Sequence, residues 1–450
     1  MTLTNIVNKI ICGSALEVLK KMPAKSVNCA ISSPPYWGLR SYGTDPQIWG
    51  GDKDCEHTWQ VTPPRRSRSG KDATTEKQKS NTGAQYEAQG GNLCSKCNAW
   101  RGELGSEPTL EFYIDHLCDI YDEVKRVLRP DGTCWVNLGD TYGGEGTQRS
   151  SGGRAGFAMN EDSGKRVKKG IKEKSLCLIP QRFAIEMVNR GWILRNVIIW
   201  HKPNPMPSSA KDRFTVDFEY VYFFVKNKKY FFEPQYEPYQ YDGRRDTTLK
   251  PTGKYPGGRT PQKMEREPME RWPNPLGRNK RTVWAIPTQP FPEAHFATFP
   301  EKLVEPMIKA GCPEFVCTKC GKAREKIYEP SLEYAKKLGT WTEDTDKDPE
   351  LRASIGFAAN TKKHSCTADY QVKGYSDCGC GEKFRPGIVL DPFMGSGTVG
   401  LVAAQNRRDW IGIELNQEYI EMAKKRIEAA ETGVPVAEQR EGQMPLFEGK

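Results

Sequence analysis

The chain has 450 residues, 37% of them apolar, and a formal net charge of +10. That length and composition exclude a disordered or collagen-like protein, give room for roughly three domains or one large domain with insertions, and suit a polyanionic partner. No run of about 18 apolar residues reads as a membrane span, and Met1 to Gly13 lacks the basic and apolar regions of an export signal, so a cytoplasmic protein is expected.

Ser14 to Met22 carries Leu16, Val18, Leu19 and Met22 at helical spacing, and Val27 to Ile31 reads as a strand. The strand runs into Ser32-Ser33-Pro34-Pro35-Tyr36-Trp37. Two consecutive prolines cannot continue a central strand, so the chain must turn there with a fixed shape. A rigid turn at the C-terminal end of a strand is where open α/β sheets place ligands. This one offers a hydroxyl (Ser33), a backbone carbonyl (Pro34) and an aromatic face (Tyr36), which are the parts needed to hold the edge and face of a flat base.

Further along, Cys55-Glu-His57 and Cys94-Ser-Lys-Cys97 form one four-ligand N/S set. Cys317-Thr-Lys-Cys320 and Cys378-Gly-Cys380 form a second, with His364 and Cys366 as alternative ligands. Without an export signal, paired cysteines favour metal over disulfides, and these sets suit tetrahedral structural zinc that would staple insertions lacking a core of their own. The remaining thiols Cys12, Cys29, Cys118, Cys134 and Cys177 fall in apolar patterns and read as core residues.

Between the two sets, Leu110 to Leu128 places seven apolar residues on one helical stripe, Pro130-Asp-Gly132 ends it, and Thr133 to Leu138 is a strand. Met187 to Trp200 and Asp217 to Lys226 supply more core helix and strand. His201 reads equally as a contact to a ligand or as a structural residue. Three polar, Gly-rich stretches lack periodicity: 60–91 with 6 basic and 3 acidic residues, 143–175 with 8 and 4, and 240–282 with 11 and 5.

The C-terminal part reads as strand–loop–helix–strand–helix, the start of a doubly wound sheet. Gly387 to Asp391 is a buried strand, Pro392 to Thr398 a Gly-rich loop, Val399 to Asn406 a helix and Trp410 to Glu414 a second strand. Asn416 is a good N-cap for a helix carrying Ile420, Ala423 and Ile427. Gly395, Gly397 and Gly400 form a G-x-G-x-x-G, and Glu414 follows at the end of the next strand, placed to bind ribose hydroxyls. The pattern fits NAD, FAD or S-adenosylmethionine. A sulfonium, unlike a pyrophosphate, gains from a nearby carboxylate, which Asp391 could supply.

Taken together, Ser33-Pro34-Pro35-Tyr36 and Asp391-Pro-Phe-Met-Gly-Ser-Gly-Thr398 resemble the amino-group DNA methyltransferases, which methylate N4 of cytosine or N6 of adenine. The order, catalytic turn first and cofactor loop last, resembles their permuted β group. Trp135-Val-Asn-Leu-Gly-Asp140, Ile198 to Met206 and His295 to Leu303 are similar to further segments of that group. Ser33-Pro34-Pro35-Tyr36-Trp37-Gly-Leu-Arg40, with the cysteine pairs, is similar to phage and prophage modification methylases. The likeness covers about 1–50, 110–142, 175–232 and 285–430. It departs at Gly13-Ser14, where the family often has Gly-Asp and its acid reaches the cofactor adenine.

The resemblance implies an α/β methyltransferase fold, doubly wound, mostly parallel and circularly permuted. It implies S-adenosylmethionine held by Ser14, Phe299, Asp391, Pro392, Phe393, Gly395, Ser396, Gly397, Thr398 and Glu414, and a flipped base of double-stranded DNA held by Ser33, Pro34, Pro35 and Tyr36. Ser-Pro-Pro-Tyr goes in the family more often with cytosine N4, and N6-adenine is the alternative. The expected organisation is core at 1–50, 106–232, 285–312 and 385–432, zinc insertions at 51–105 and 313–384, a target-recognition region at 233–284 and a polar tail at 433–450. Two other classes compete. A nicotinamide-linked oxidoreductase would leave Ser33 to Tyr36 without a purpose, and a zinc-bearing DNA-binding protein with an inactive core would not need them intact.

Overall fold

The computed structural model describes residues 1–38, 43–61, 90–143, 171–237, 278–289, 299–331 and 370–432. At its centre is an eight-stranded sheet. In chain order its strands are β1 (Lys9–Cys12), β2 (Val27–Ser32), β3 (Leu128–Leu138), β4 (Ile193–His201), β5 (Phe218–Val225), β6 (Val283–Ala285), β7 (Ile388–Asp391) and β8 (Asp409–Glu414). Their spatial order is β1-β8-β7-β2-β3-β5-β4-β6. Only β5 is antiparallel to its neighbours, β3 and β4; every other pairing is parallel.

Helices cover both faces: α1 (Ala15–Lys21), α2 (Leu110–Val127) and α3 (Ile179–Asn189) on one, α4 (Glu301–Gly311), α5 (Thr398–Gln405) and α6 (Gln417–Thr432) on the other. A strand buried on two faces is apolar throughout, and successive residues feed opposite cores. Along β3, Cys134, Val136 and Leu138 join the α1–α3 core, while Trp135 joins the other. β7 divides in the same way, Ile388 and Leu390 against Val389.

The strands latest in sequence sit inside the sheet, β7 beside β2 and β8 beside β1. Register runs from Lys9 opposite Ile411 to Cys12 opposite Glu414. That is the permuted order expected, and it brings the ends of β2, β7 and β8 together. Two boundaries differ from the sequence reading. β3 begins at Leu128, not Thr133, because Leu128 already pairs with Val27. Gln47–Trp49, placed with the core in the sequence reading, pairs with Trp100–Gly102 in a four-stranded sheet that also holds Trp59–Val61 and Gly90–Cys94. The second insertion pairs Phe315–Cys317 with Phe384–Pro386, and Lys326–Pro330 with Tyr370–Tyr375.

Cys29, Cys118, Cys134 and Cys177 are buried as expected; Cys12 is exposed, at the end of edge strand β1. The basic stretches lie almost wholly outside the described residues, as do His295, His364 and Cys366.

Candidate active site and metal centres

A cavity of about 380 Å³ opens at the C-terminal ends of β2, β7 and β8. One half is lined by the turn after β2, Ser33, Pro34, Pro35 and Tyr36. The other is lined by Ser14, Phe299, Pro392, Phe393, Gly395, Ser396, Thr398 and Glu414. Two segments more than 350 residues apart in sequence therefore share one space.

The turn is held from several sides. Tyr113 Oη on α2 donates to the Pro35 carbonyl at 2.8 Å, and Ser32 Oγ meets Tyr121 Oη at 2.7 Å. Tyr36 Oη donates to Glu219 Oε2 at 2.8 Å and to Asn137 Oδ1 at 3.2 Å. Glu219 Oε1 in turn accepts from Lys202, whose ammonium lies 4.6 Å above the Trp200 ring. The Tyr36 ring is thus oriented by its hydroxyl. No hydrogen bond from a described residue reaches the Pro34 carbonyl.

On the cofactor side, Gly397 stands in the left-handed region at φ 84°, and a Cβ there would meet Ala423 Cβ at 2.7 Å, so the loop can pack on α6 only with glycine. Arg426 of α6 donates to the Ser396 carbonyl at 2.7 Å and to Thr398 Oγ1 at 3.3 Å. Glu414 accepts from Gly395 N at 2.7 Å and from the Leu415 and Asn416 amides at 2.8 Å, and burial pushes its carboxyl up. Ser14 caps α1 without a side-chain hydrogen bond and lines the cavity.

Asp391 and Gly397 do not line the cavity; both sit behind it. Asp391 is 1% exposed and accepts from Phe393 N at 2.9 Å. Burial, with the neighbouring Glu414 charge, pushes its carboxyl up to about 8. His201 also stays outside, 3.5 Å from Asp217.

Both cysteine sets are assembled. The ligand atoms of Cys55, His57, Cys94 and Cys97, and those of Cys317, Cys320, Cys378 and Cys380, each lie within 4.8 Å of one another. Cys55 Sγ and Cys94 Sγ are 4.0 Å apart. That is close to the edge of about 3.8 Å expected for a tetrahedron with 2.3 Å zinc–sulfur bonds. Against the opposing effect of burial, the Cys97 and Lys96 amides hold the Cys94 thiol down to about 6. The Cys320 amide does the same for Cys317, also to about 6. In the same sets, burial and the neighbouring thiols push Cys55 up to about 11, and hydrogen bonds with Cys320 and Cys378 push Cys380 up to about 12.

Asn137 and Lys202 lie in the segments Trp135–Asp140 and Ile198–Met206 that the sequence already singled out, without a role of their own; sequence reasoning missed Glu219, Arg426 and Trp49 as parts of this region. Glu219 carries a usable signal, a lone acid in the apolar run Phe218 to Val225. The others are joined to the site only by the tertiary fold.

The fold and cavity define an open α/β protein in which a Gly-rich loop and a Ser-Pro-Pro-Tyr turn share one site. The DNA methylase family N6_N4_Mtase matches residues 27–316 and 384–425, and the chain belongs to that family of amino-group DNA methyltransferases, whose partner is double-stranded DNA. Among relatives, the type II methyltransferase M.Cfr9I of Citrobacter freundii is 30% identical over 426 residues, covering 94% of this chain and 88% of its own. M.SmaI of Serratia marcescens is 27% identical over 427 residues, covering 93% and 90%. A solved structure, the cytosine-N4-specific PvuII DNA methyltransferase, aligns over 98% of this chain and 96% of its own with a TM-score of 0.44 and 15% identity. No helix among the described residues is long and apolar enough to cross a membrane.

Proposed function

We propose that the chain transfers a methyl group from S-adenosylmethionine to the exocyclic N4 of a cytosine flipped out of double-stranded DNA. The reading rests on one observation above others: the Ser33–Tyr36 turn and the Gly395–Thr398 loop face the same cavity. When bound, S-adenosylmethionine supplies an electrophilic methyl on a sulfonium. The residues on its side suit it. Glu414 keeps lone pairs for ribose hydroxyls, Phe299 and Phe393 offer apolar walls, and no phosphate-binding side chain is required.

An exocyclic amine is a poor nucleophile because its lone pair is delocalised into the ring. Ser33 Oγ and the Pro34 carbonyl would accept hydrogen bonds from it, localising the lone pair and aiming it at the methyl; as the C–N bond forms the S–C bond breaks, S-adenosylhomocysteine leaves, and the nitrogen gives up one proton to solvent. Tyr36 stacks on the base, held in orientation by Glu219 and Asn137. Catalysis then comes chiefly from positioning and preorganised dipoles. The preference for cytosine rests on serine standing in the turn where the adenine enzymes more often carry Asp or Asn. Zinc at both cysteine sets completes the reading, as closed four-ligand structural sites.

The test is incubation with tritiated S-adenosylmethionine and unmethylated DNA, followed by digestion to nucleosides and mass spectrometry. N4-methylcytosine supports the assignment. N6-methyladenine would keep the mechanism and reassign the base. No methylated nucleoside would favour an inactive DNA-binding protein.

A further inference from the structure

The first cysteine set does not lie apart from the catalytic half of the cavity. Its chain leaves the catalytic turn, passes through the strand Gln47–Trp49, supplies the ligands, and returns through Trp100–Gly102 to α2. Gln47, Trp49 and Leu104 line the same cavity as Ser33 to Tyr36. Trp49 is locked in place: its Nε1 donates to the Gly102 carbonyl at 2.9 Å, and its ring stacks on His116 at 5.3 Å. The ligand Cys97 abuts that strand's end, since a Cβ on Gly51 would stand 2.8 Å from its Sγ.

The return segment clamps the turn itself. Gly38 N donates to the Gly105 carbonyl at 2.8 Å, and Trp37 Nε1 donates to the Glu107 carbonyl at 3.0 Å. Gly105 N donates to Glu107 Oε2 at 2.8 Å, and the other carboxylate oxygen of this buried glutamate faces His116 Nδ1 at 3.3 Å. Gly105 stands at φ 90°, and a Cβ there would meet the Tyr36 carbonyl at 3.1 Å. Any larger residue would strain the backbone and press on the turn.

We propose that the Cys55–His57–Cys94–Cys97 set is the anchor of the target-nucleotide half of the site. Its strand Gln47–Trp49 forms one wall of that half, and its return segment 103–107 fixes the Ser33–Tyr36 turn. The proposal rests on the methyltransferase reading above and assigns Gln47 and Trp49 to the wall that the flipped nucleotide meets. The cofactor half draws on Ser14, Phe299, the loop residues after β7 and Glu414 at the end of β8.

The experiment uses the full-length chain and the variants Cys97→Ser and Gly105→Ala, with Cys380→Ser at the second set as control. Three quantities are read: zinc per chain, calorimetric binding of S-adenosylmethionine, and hydrogen exchange of backbone amides. Cys97→Ser is expected to lose about one zinc and to raise exchange in peptides covering 33–38 and 100–107, with 388–414 unchanged. Its cofactor affinity stays within about twofold. Methyl transfer to unmethylated DNA falls about a hundredfold, the scale of an ångström-sized misplacement. Gly105→Ala is expected to give the same exchange and transfer changes with zinc retained, so the proposal stays testable if Cys97→Ser does not fold. Cys380→Ser should lose zinc without altering exchange at 33–38.

Loss of zinc with unchanged exchange at 33–38 overturns the proposal, as does a wild-type chain that binds no zinc at this set. Equal loss of cofactor binding and transfer also overturns it. A wild-type chain with zinc that methylates no DNA sinks the methyltransferase reading instead, and the two failures are distinct.

Discussion

Two cysteine sets of nearly the same donor chemistry occupy opposite ends of the central sheet. The first projects from the C-terminal end of β2, and its strands reach the cavity. The second meets the start of β3: a Cβ on Gly321 would stand 2.4 Å from the Arg129 guanidinium, and Arg129 is the second residue of that strand. Open α/β sheets bind ligands at the carboxyl ends of their strands, so an insertion there inherits a part in the site and one at the other end does not. Ligand identity predicts the metal in both cases. Position in the fold separates the roles.

The difference between the two ends of the sheet should show most clearly in variants of the turn that the first set supports. Tyr36→Ala and Ser33→Ala are each expected to lower methyl transfer about a hundredfold or more while cofactor binding stays within about twofold. Single-turnover transfer and calorimetry measure the two quantities. Parallel loss of both would mean that the turn does not separate from the cofactor half.

Glu219→Gln probes a support of Tyr36 outside either insertion. The substitution keeps an acceptor for Tyr36 Oη but removes the charge that pairs with Lys202. Transfer is expected to fall about tenfold, mostly in kcat, because the ring is still present but less firmly oriented. An effect confined to KM for DNA would instead assign Glu219 and Lys202 to DNA binding.

Asp391→Asn isolates the cofactor side, and its signature is pH. The wild-type carboxyl is pushed up from 3.8 to about 8, first by burial and then by Glu414. A raised carboxyl means that the folded state resists ionisation, so wild type loses stability as pH climbs from about 4 towards 8. The amide oxygen of Asn can still accept from Phe393 N. The variant should therefore gain on the order of 1 kcal/mol or more at pH 8 and little at pH 4, read by chemical denaturation. A pH-independent difference would show that Asp391 is ionised in the folded protein.

Much of this arrangement was legible in the sequence because its signals are local. The Pro34-Pro35 stop, the strand–loop–helix run from Gly387 and the Asn416 cap each depend on a few neighbouring residues, and Asn416 Oδ1 does accept from Glu418 N at 2.8 Å. The ligand spacing of both cysteine sets is local in the same way. What was not legible depends on distant partners. Asp391 looked like a ligand contact because it ends a strand beside the Gly loop, yet the Phe393 amide and the sheet enclose it. Trp49 carried no signal, because only the fold places it against His116 and the cavity.

The smallest effect on transfer is expected at the second set. Cys317→Ser removes a thiol of the second set on a strand paired with Phe384–Pro386, none of which lines the cavity. Zinc should fall by about one ion per chain, and the insertion should become sensitive to proteases, because a metal at this set would stand in for the core that its described two-stranded sheets do not supply. Methyl transfer should remain within about twofold at a temperature where the sheet stays folded. If transfer instead drops as steeply as for Cys97→Ser, position does not distinguish the sets. If zinc content does not change, four thiols within 4.8 Å of one another are a reduced cluster, and Arg129 packs against a turn that no metal holds.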